Sequence, residues 1–153
     1  ILAEIAINPG GTDAACNHIV QQHLDQGQHM PGFGHHLHRP DDPRAPKLFA
    51  IAMAHDDIKK QPIEMMKQLG STVDQLYGKH LTINATGATA AVLMGAGIPV
   101  GIMRGFAVIS RAPGLVAHIM EEQSSPTGRH IWDLVDRSIP YTGKARETPN
   151  DQT

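Results

Sequence analysis

Cysteine is almost missing: the 153-residue chain holds only Cys16. A disulfide framework is therefore excluded, and a reducing, cytoplasmic setting is the expectation. With no cationic neighbour in sequence, Cys16 itself reads as a buried and inert thiol. Neither sign of charge dominates: charged residues make up 18% and the net charge is -2, so no nucleic-acid partner is expected. An anionic ligand must be held by local clusters of cations and not by a global field. No apolar run reaches the roughly 18–20 residues that a membrane helix needs, so no membrane partner is expected either. Ile1-Leu2-Ala3-Glu4-Ile5 has no initiator Met, no basic stretch and an early acid. It does not read as a signal peptide or as a natural beginning, so a fragment of a longer protein is the expectation. Hairpin signals are absent, and Val, Ile and Thr rarely alternate with polar residues.

What is present is helical periodicity, in one domain or a piece of a larger one. Ala15, Ile19, Val20 and Leu24 recur at helical spacing over 13–25, and Gly27 closes that helix. Asp42-Pro43 opens a second helix, with Asp at the N-cap, Pro at N1, and Leu48, Ile51, Ala52 and His55 as its inner stripe. Residues 62–77 form a third, with Ile63, Met66, Leu69, Val73 and Leu76 inward and Gly70 a weak point. Thr82–Met94 is nearly uncharged and rich in Ala and Thr, which suits a buried helix. Val100–Glu122 reads as one long helix kinked at Pro113, with His118 a core or interface histidine. A short segment follows at 131–135, and Pro140–Thr153 reads as an extended tail. Met65, Met66, Met94, Met103 and Met120 suit core filling.

Ten histidines is a high number for this length, and most are expected to be ordinary surface residues. Three of them, His35, His36 and His38, lie in Met30–Lys47 with Arg39, Arg44 and four prolines. That many prolines exclude regular structure and leave a shaped loop. Three readings of the loop stand side by side. Closely spaced imidazoles suit zinc, although arginines repel a cation and no cysteine is near. The loop could be a plain surface feature. Or it is an anion site, with a histidine to give or take a proton and arginines to grip a carboxylate or phosphate.

Gly32-Phe33-Gly34-His35 followed by Asp42-Pro43-Arg44 resembles the signature of the citrate synthase family. Gly105–Glu122, with Arg111 and a His118-x-x-Glu121 end, resembles that family's late helix. Arg137–Gly143, ending Tyr141-Thr142-Gly143, resembles its C-terminal segment. The order and spacing of the three agree across most of the chain. The resemblance implies an all-α, citrate synthase-like helical fold. Residues 1–122 would carry the small, ligand-closing domain and the long helix after it, and 123–153 a segment returning to the large domain. It implies chemistry in which acetyl-CoA is deprotonated and attacks the ketone of oxaloacetate, or in which citryl-CoA is split. Bacterial citryl-CoA lyases are the members it resembles best. His35 would hydrogen-bond the ketone oxygen. Arg44 and Arg111 would hold substrate carboxylates, and Arg137 would do so from the partner subunit of a homodimer. Arg39 matches a position associated with coenzyme A phosphates. Lys79 and His80 read either as further contacts to coenzyme A or as a solvated turn. A coenzyme A thioester is then a substrate, and no metal is expected.

Two departures qualify that expectation. The family's general base is an aspartate in an Asn-Val-Asp-like turn; the matching run here is Asn84-Ala85-Thr86-Gly87-Ala88, which puts Thr86 in its place. Threonine cannot act as a carboxylate base, and its plain role is a cap or packing residue. The family's earlier catalytic histidine, in a Pro-x-His-Gly-like motif, has no counterpart; His18 and His23 stand in the wrong context. Two other functions therefore remain open: a homologue that binds coenzyme A or carboxylates with impaired catalysis, and an unrelated helical metal-binding module.

Overall fold

Helical periodicity becomes helix throughout the computed structural model, which describes residues 1–8, 10–140 and 142–143. The elements are α1 (Leu2–Ala6), α2 (Gly11–Asp25), α3 (Arg44–Met53), α4 (Gln61–Tyr77), α5 (Ala85–Gly95), a 3-10 turn at Val100–Ile102, α6 (Met103–Ser124) and α7 (Gly128–Ser138). Among the described residues there is no strand, so the all-α expectation holds. The chain divides into two compact units, Ile1–Phe106 and Ala107–Thr153.

In the first unit α4 is the central helix, touching α1, α2 and α5, while α3 packs on α5. Ile63, Met66, Leu69 and Val73 of α4 are buried as their spacing predicts, and they meet Ala15, Cys16, Ile19 and Val20 of α2 and Ala88 and Ala91 of α5. Burying each of the larger side chains contributes about 1.5–3 kcal/mol. Burial also pushes the Cys16 thiol upward, with Asp13 adding to the effect, so this thiol is inert as expected. Helix α4 runs unbroken through Gly70, where a side chain would crowd Ile83 Cδ1 at 3.3 Å. It stops at Gly78, whose φ of 63° is a left-handed cap.

The stripe of α3 differs from the sequence expectation. Ala45, Phe49 and Ala52 face the core, while Ile51 and His55 are exposed. Apolar residues surround this helix, so spacing alone did not fix which face turns inward. The helix also begins one residue later than expected, with Pro43 as its N-cap. Helix α1 was not foreseen; its single buried residue is Ile5.

In the second unit, Glu122 joins α6 to α7. Its carboxylate accepts hydrogen bonds from the Thr127 N–H (3.0 Å), the Gly128 N–H (2.7 Å) and the Thr127 hydroxyl (2.9 Å). Those donors hold its pKa below the ordinary glutamate value. His118 is exposed and pairs with Glu121 at 2.7 Å, which removes the core half of its reading as a core or interface residue. The apolar residues of α6 and α7, among them Ile109, Val116, Ile119 and Trp132, are exposed. Val100–Ser124 is long and apolar enough, by length and composition, to cross a membrane. Arg104 and Arg111 interrupt its apolar residues. Most of the expected extended tail, including Tyr141, lies outside the described residues.

Candidate active site

The site is built where the loop between α2 and α3 meets the N-terminus of α5. Gly32 (φ 88°) and Gly34 (φ 74°) take left-handed conformations that a larger residue resists, and they curl the chain around Phe33. Phe33 forms an isolated antiparallel bridge with Ile83. The Gly34 N–H donates to the Thr82 carbonyl at 2.8 Å, and the Asn84 N–H to the Gly32 carbonyl at 3.0 Å. Asn84 works twice. Its Oδ1 caps α5 by accepting from the Thr86 and Gly87 N–H groups at 3.0 and 3.1 Å. Its Nδ2 donates to the Gly34 carbonyl at 3.0 Å. An Asn ahead of a run of small residues is a sequence signal for such a cap.

Loop and helix come so close that only glycine fits between them. A Cβ on Gly87 would stand 2.6 Å from the Gly32 carbonyl oxygen and press on Met66 Cε. Gly87→Ala should therefore lower stability by about 1–3 kcal/mol despite alanine's better helix propensity. Urea unfolding of the full-length protein measures it; an unchanged midpoint would show that the loop can retreat.

The curl sets His35. Its Nδ1 accepts hydrogen bonds from the Leu37 and His38 N–H groups, both at 3.1 Å. An acceptor nitrogen carries no proton, so the ring is neutral with its hydrogen on Nε2. Loss of hydration lowers its pKa first, then repulsion from His38, His36 and Arg44, with Asp42 opposing. The His36 and His38 rings lie 4.6 and 4.5 Å from it, centroid to centroid. His35 is thus a preset neutral hydrogen-bond donor, the form suited to stabilising charge that develops on an oxygen.

Asp42 anchors the far end of the loop and is 0% exposed. Its Oδ1 accepts from Arg44 Nε (2.9 Å) and the Arg44 N–H (3.1 Å). Its Oδ2 accepts from Arg44 Nη2 (2.8 Å) and the Ala85 N–H (3.0 Å). The Asp42 N–H donates to Thr82 Oγ1 at 2.8 Å. The guanidinium first, and the two backbone donors after it, hold this carboxyl well below the usual carboxylate range, and the same pairing raises Arg44. Arg44, expected to grip a substrate, therefore spends one edge of its fork on Asp42. His35, His38 and Asp42 place ligand atoms within 4.8 Å of one another. A metal there would compete with Arg44 and Ala85 for both Asp42 oxygens.

A cleft of about 330 Å³ gathers His35, Arg39 and Lys79 with His38 and His80. Three residues singled out separately in the sequence thus share one wall. Thr86 stands exposed in the first turn of α5 and lines a different, largely apolar hollow of about 260 Å³ with Met66, Ala90 and Met94. Arg111 on α6 and Arg137 in the last turn of α7 are exposed in the second unit. Sequence reading missed the weight carried by Asp42 and Asn84, and left His80 undecided between two roles.

The helical fold thus sets a neutral imidazole donor in one cleft with an arginine and a lysine. The chain belongs to the citrate synthase family: residues 2–132 match the model of the citrate synthase C-terminal domain. It is 28% identical over 133 residues to "Putative citrate synthase 2" of Mycobacterium tuberculosis, covering 86% of this chain and 34% of the relative. It is 29% identical over 109 residues to the citrate synthase of Haloferax volcanii, covering 67% of this chain and 27% of that one. Among solved structures, citryl-CoA lyase from Hydrogenobacter thermophilus matches with a TM-score of 0.71 and 31% identity, over 88% of this chain and 52% of that one. The chain thus spans about a third of the length of the curated relatives and about half of the solved structure.

Proposed function

We propose that the chain carries one half of the active site of a citrate synthase-like carbon–carbon lyase or synthase. It would act on citryl-CoA or on acetyl-CoA plus oxaloacetate, and it is most like citryl-CoA lyase. The observation that carries this is His35, held neutral by two backbone N–H groups so that Nε2 is left to donate. In either direction an oxygen gains or loses negative charge, and a fixed donor lowers the barrier by stabilising it. Arg44, Arg111 and Arg137 would hold carboxylates, and Arg39 and Lys79 the phosphates of the coenzyme A thioester, which is a substrate and not a resident cofactor. The reading carries with it a cytoplasmic homodimer in which Arg137 serves the partner's site. Assay of the full-length protein for citryl-CoA cleavage, and for thioester loss from acetyl-CoA with oxaloacetate, tests it; no turnover in either assay sinks it.

Thr86 favours a second reading, a homologue that binds coenzyme A or carboxylates with impaired catalysis. The lyase direction gives no escape, because the enolate must then be protonated. Binding of coenzyme A and oxaloacetate without turnover is its signature. Thr86→Asp discriminates further. If Thr86 occupies the place of the base, the substitution should raise exchange of the acetyl-CoA methyl protons by about 10²-fold. Unchanged exchange would remove Thr86 from that role.

A further inference from the structure

His80 sits between two carboxylates. Its Nδ1 lies 2.5 Å from Asp74 Oδ2 on α4, and its Nε2 lies 3.0 Å from Asp41 Oδ1 on the loop. Carboxylates only accept, so both ring nitrogens must donate, and the ring is an imidazolium. Asp74 is itself oriented, since its other oxygen accepts the Leu81 N–H at 2.8 Å. Asp41 is 70% exposed and has no other recorded side-chain partner than His80 among the described residues. The next residue, Asp42, is tied through its N–H to Thr82. Loop and α4–α5 connection are therefore fastened at two successive positions, one by a neutral hydrogen bond and one by the imidazolium.

We infer that His80 is a positioning residue: bridging Asp74 and Asp41, it fixes the Arg39–Asp42 stretch against the α4–α5 connection and so holds Arg39 beside Lys79 for the phosphates of a coenzyme A thioester. The inference rests on the function proposed above for the same cleft. The groups facing His80 give the effect its sign. Asp74 and Asp41 touch it, and Asp42 and Lys67 line the hollow on one side of it. His35, His38, Arg39 and Lys79 line the cleft on the other. Contact with the two carboxylates, Asp74 first and Asp41 after it, raises its pKa against the loss of hydration, which lowers it. The bridge is then complete below the ordinary imidazole pKa of about 6.5 and is lost as pH rises through the raised value.

The test uses the full-length protein as wild type, His80→Asn and His80→Arg, with acetyl-CoA as the probe. Wild-type Kd should rise about two- to fivefold from about pH 6 to about pH 9.5, the scale of an exposed ion pair. His80→Asn should show the weaker, high-pH affinity of the wild type at both values, with kcat unchanged. His80→Arg, charged at both, should bind as the wild type does at the lower value and lose the pH dependence. Equal affinity of wild type and His80→Asn at the lower value overturns the inference. A ligand-free measurement accompanies it: nitrogen NMR of the imidazole. Two protons on His80 at about pH 6, and shifts of the Arg39 and Asp41 amides as it titrates, support the bridge; a neutral ring there overturns it. Absence of acetyl-CoA binding by the wild type at either pH overturns the functional reading and the ligand named here, with the bridge judged by NMR alone.

Discussion

His35→Ala in the full-length protein should lower kcat by about 10²–10³-fold, the usual consequence of deleting one preset donor to a developing oxyanion. KM should change far less, because the donor matters most when charge builds up. The physical reason lies in the curl between Gly32 and Gly34, which turns the Leu37 and His38 N–H groups onto Nδ1. The hydrogen is thereby confined to Nε2 without help from a carboxylate. Protonating the ring would set an N–H against two N–H groups, which agrees in sign with its lowered pKa. The donor is therefore fully present at neutral pH. Rate attributable to it should fall only in solutions more acidic than the ordinary imidazole pKa of about 6.5. A pH profile of kcat with its acid limb above that value, or a His35→Ala enzyme within about threefold of wild type, would remove His35 from the chemistry.

Asp42→Asn should cost about 2–4 kcal/mol of stability, measured as the urea midpoint of the full-length protein. The substitution keeps the shape but turns an N–H₂ toward N–H donors that in the wild type meet a carboxylate oxygen. Arg44 loses its counter-ion, and the starts of α3 and α5 lose a shared tie through the Arg44 and Ala85 N–H groups. Half of the Arg44 side chain is exposed, so water recovers part of the loss and keeps the figure below that of a fully buried pair. The pH dependence follows from a depressed carboxyl. Its stabilisation is complete above the ordinary aspartate pKa of about 3.9 and is lost as pH falls through the lower folded value. Wild type should thus approach Asp42→Asn in stability only in strongly acidic solution. A difference under about 0.5 kcal/mol at neutral pH would show that the buried tie is replaceable.

The sequence carried the helices because their core faces repeat at helical spacing; Ile63, Met66, Leu69 and Val73 all lie where that spacing puts them. It failed on α3, where apolar residues on every side left the inward face to tertiary packing, which chose Phe49 over Ile51. Motif reading singled out His35 and Arg39, a basic turn suggested Lys79, and the fold brings the three to one cleft. The tautomer of His35 was not legible, since it depends on where two backbone N–H groups point after the chain has turned. Nor was the Asp42–Arg44 pair: a loop residue two positions from an arginine gives no sign that both will close on each other. The reading of Thr86 as the place of a carboxylate rests on the Asn84–Ala88 motif alone; the fold sets it exposed in the first turn of α5.

Gly32 and Gly87 press backbone on backbone, and Asn84, Thr82 and Asp42 stitch the same seam. The loop and the head of α5 should therefore move as one piece, which high amide order parameters on both sides of the seam would show. A ligand that meets this half of the site finds its donors already in place, and little affinity is lost to freezing them. Any motion that wraps the ligand must carry loop and helix together, with its pivot outside this seam.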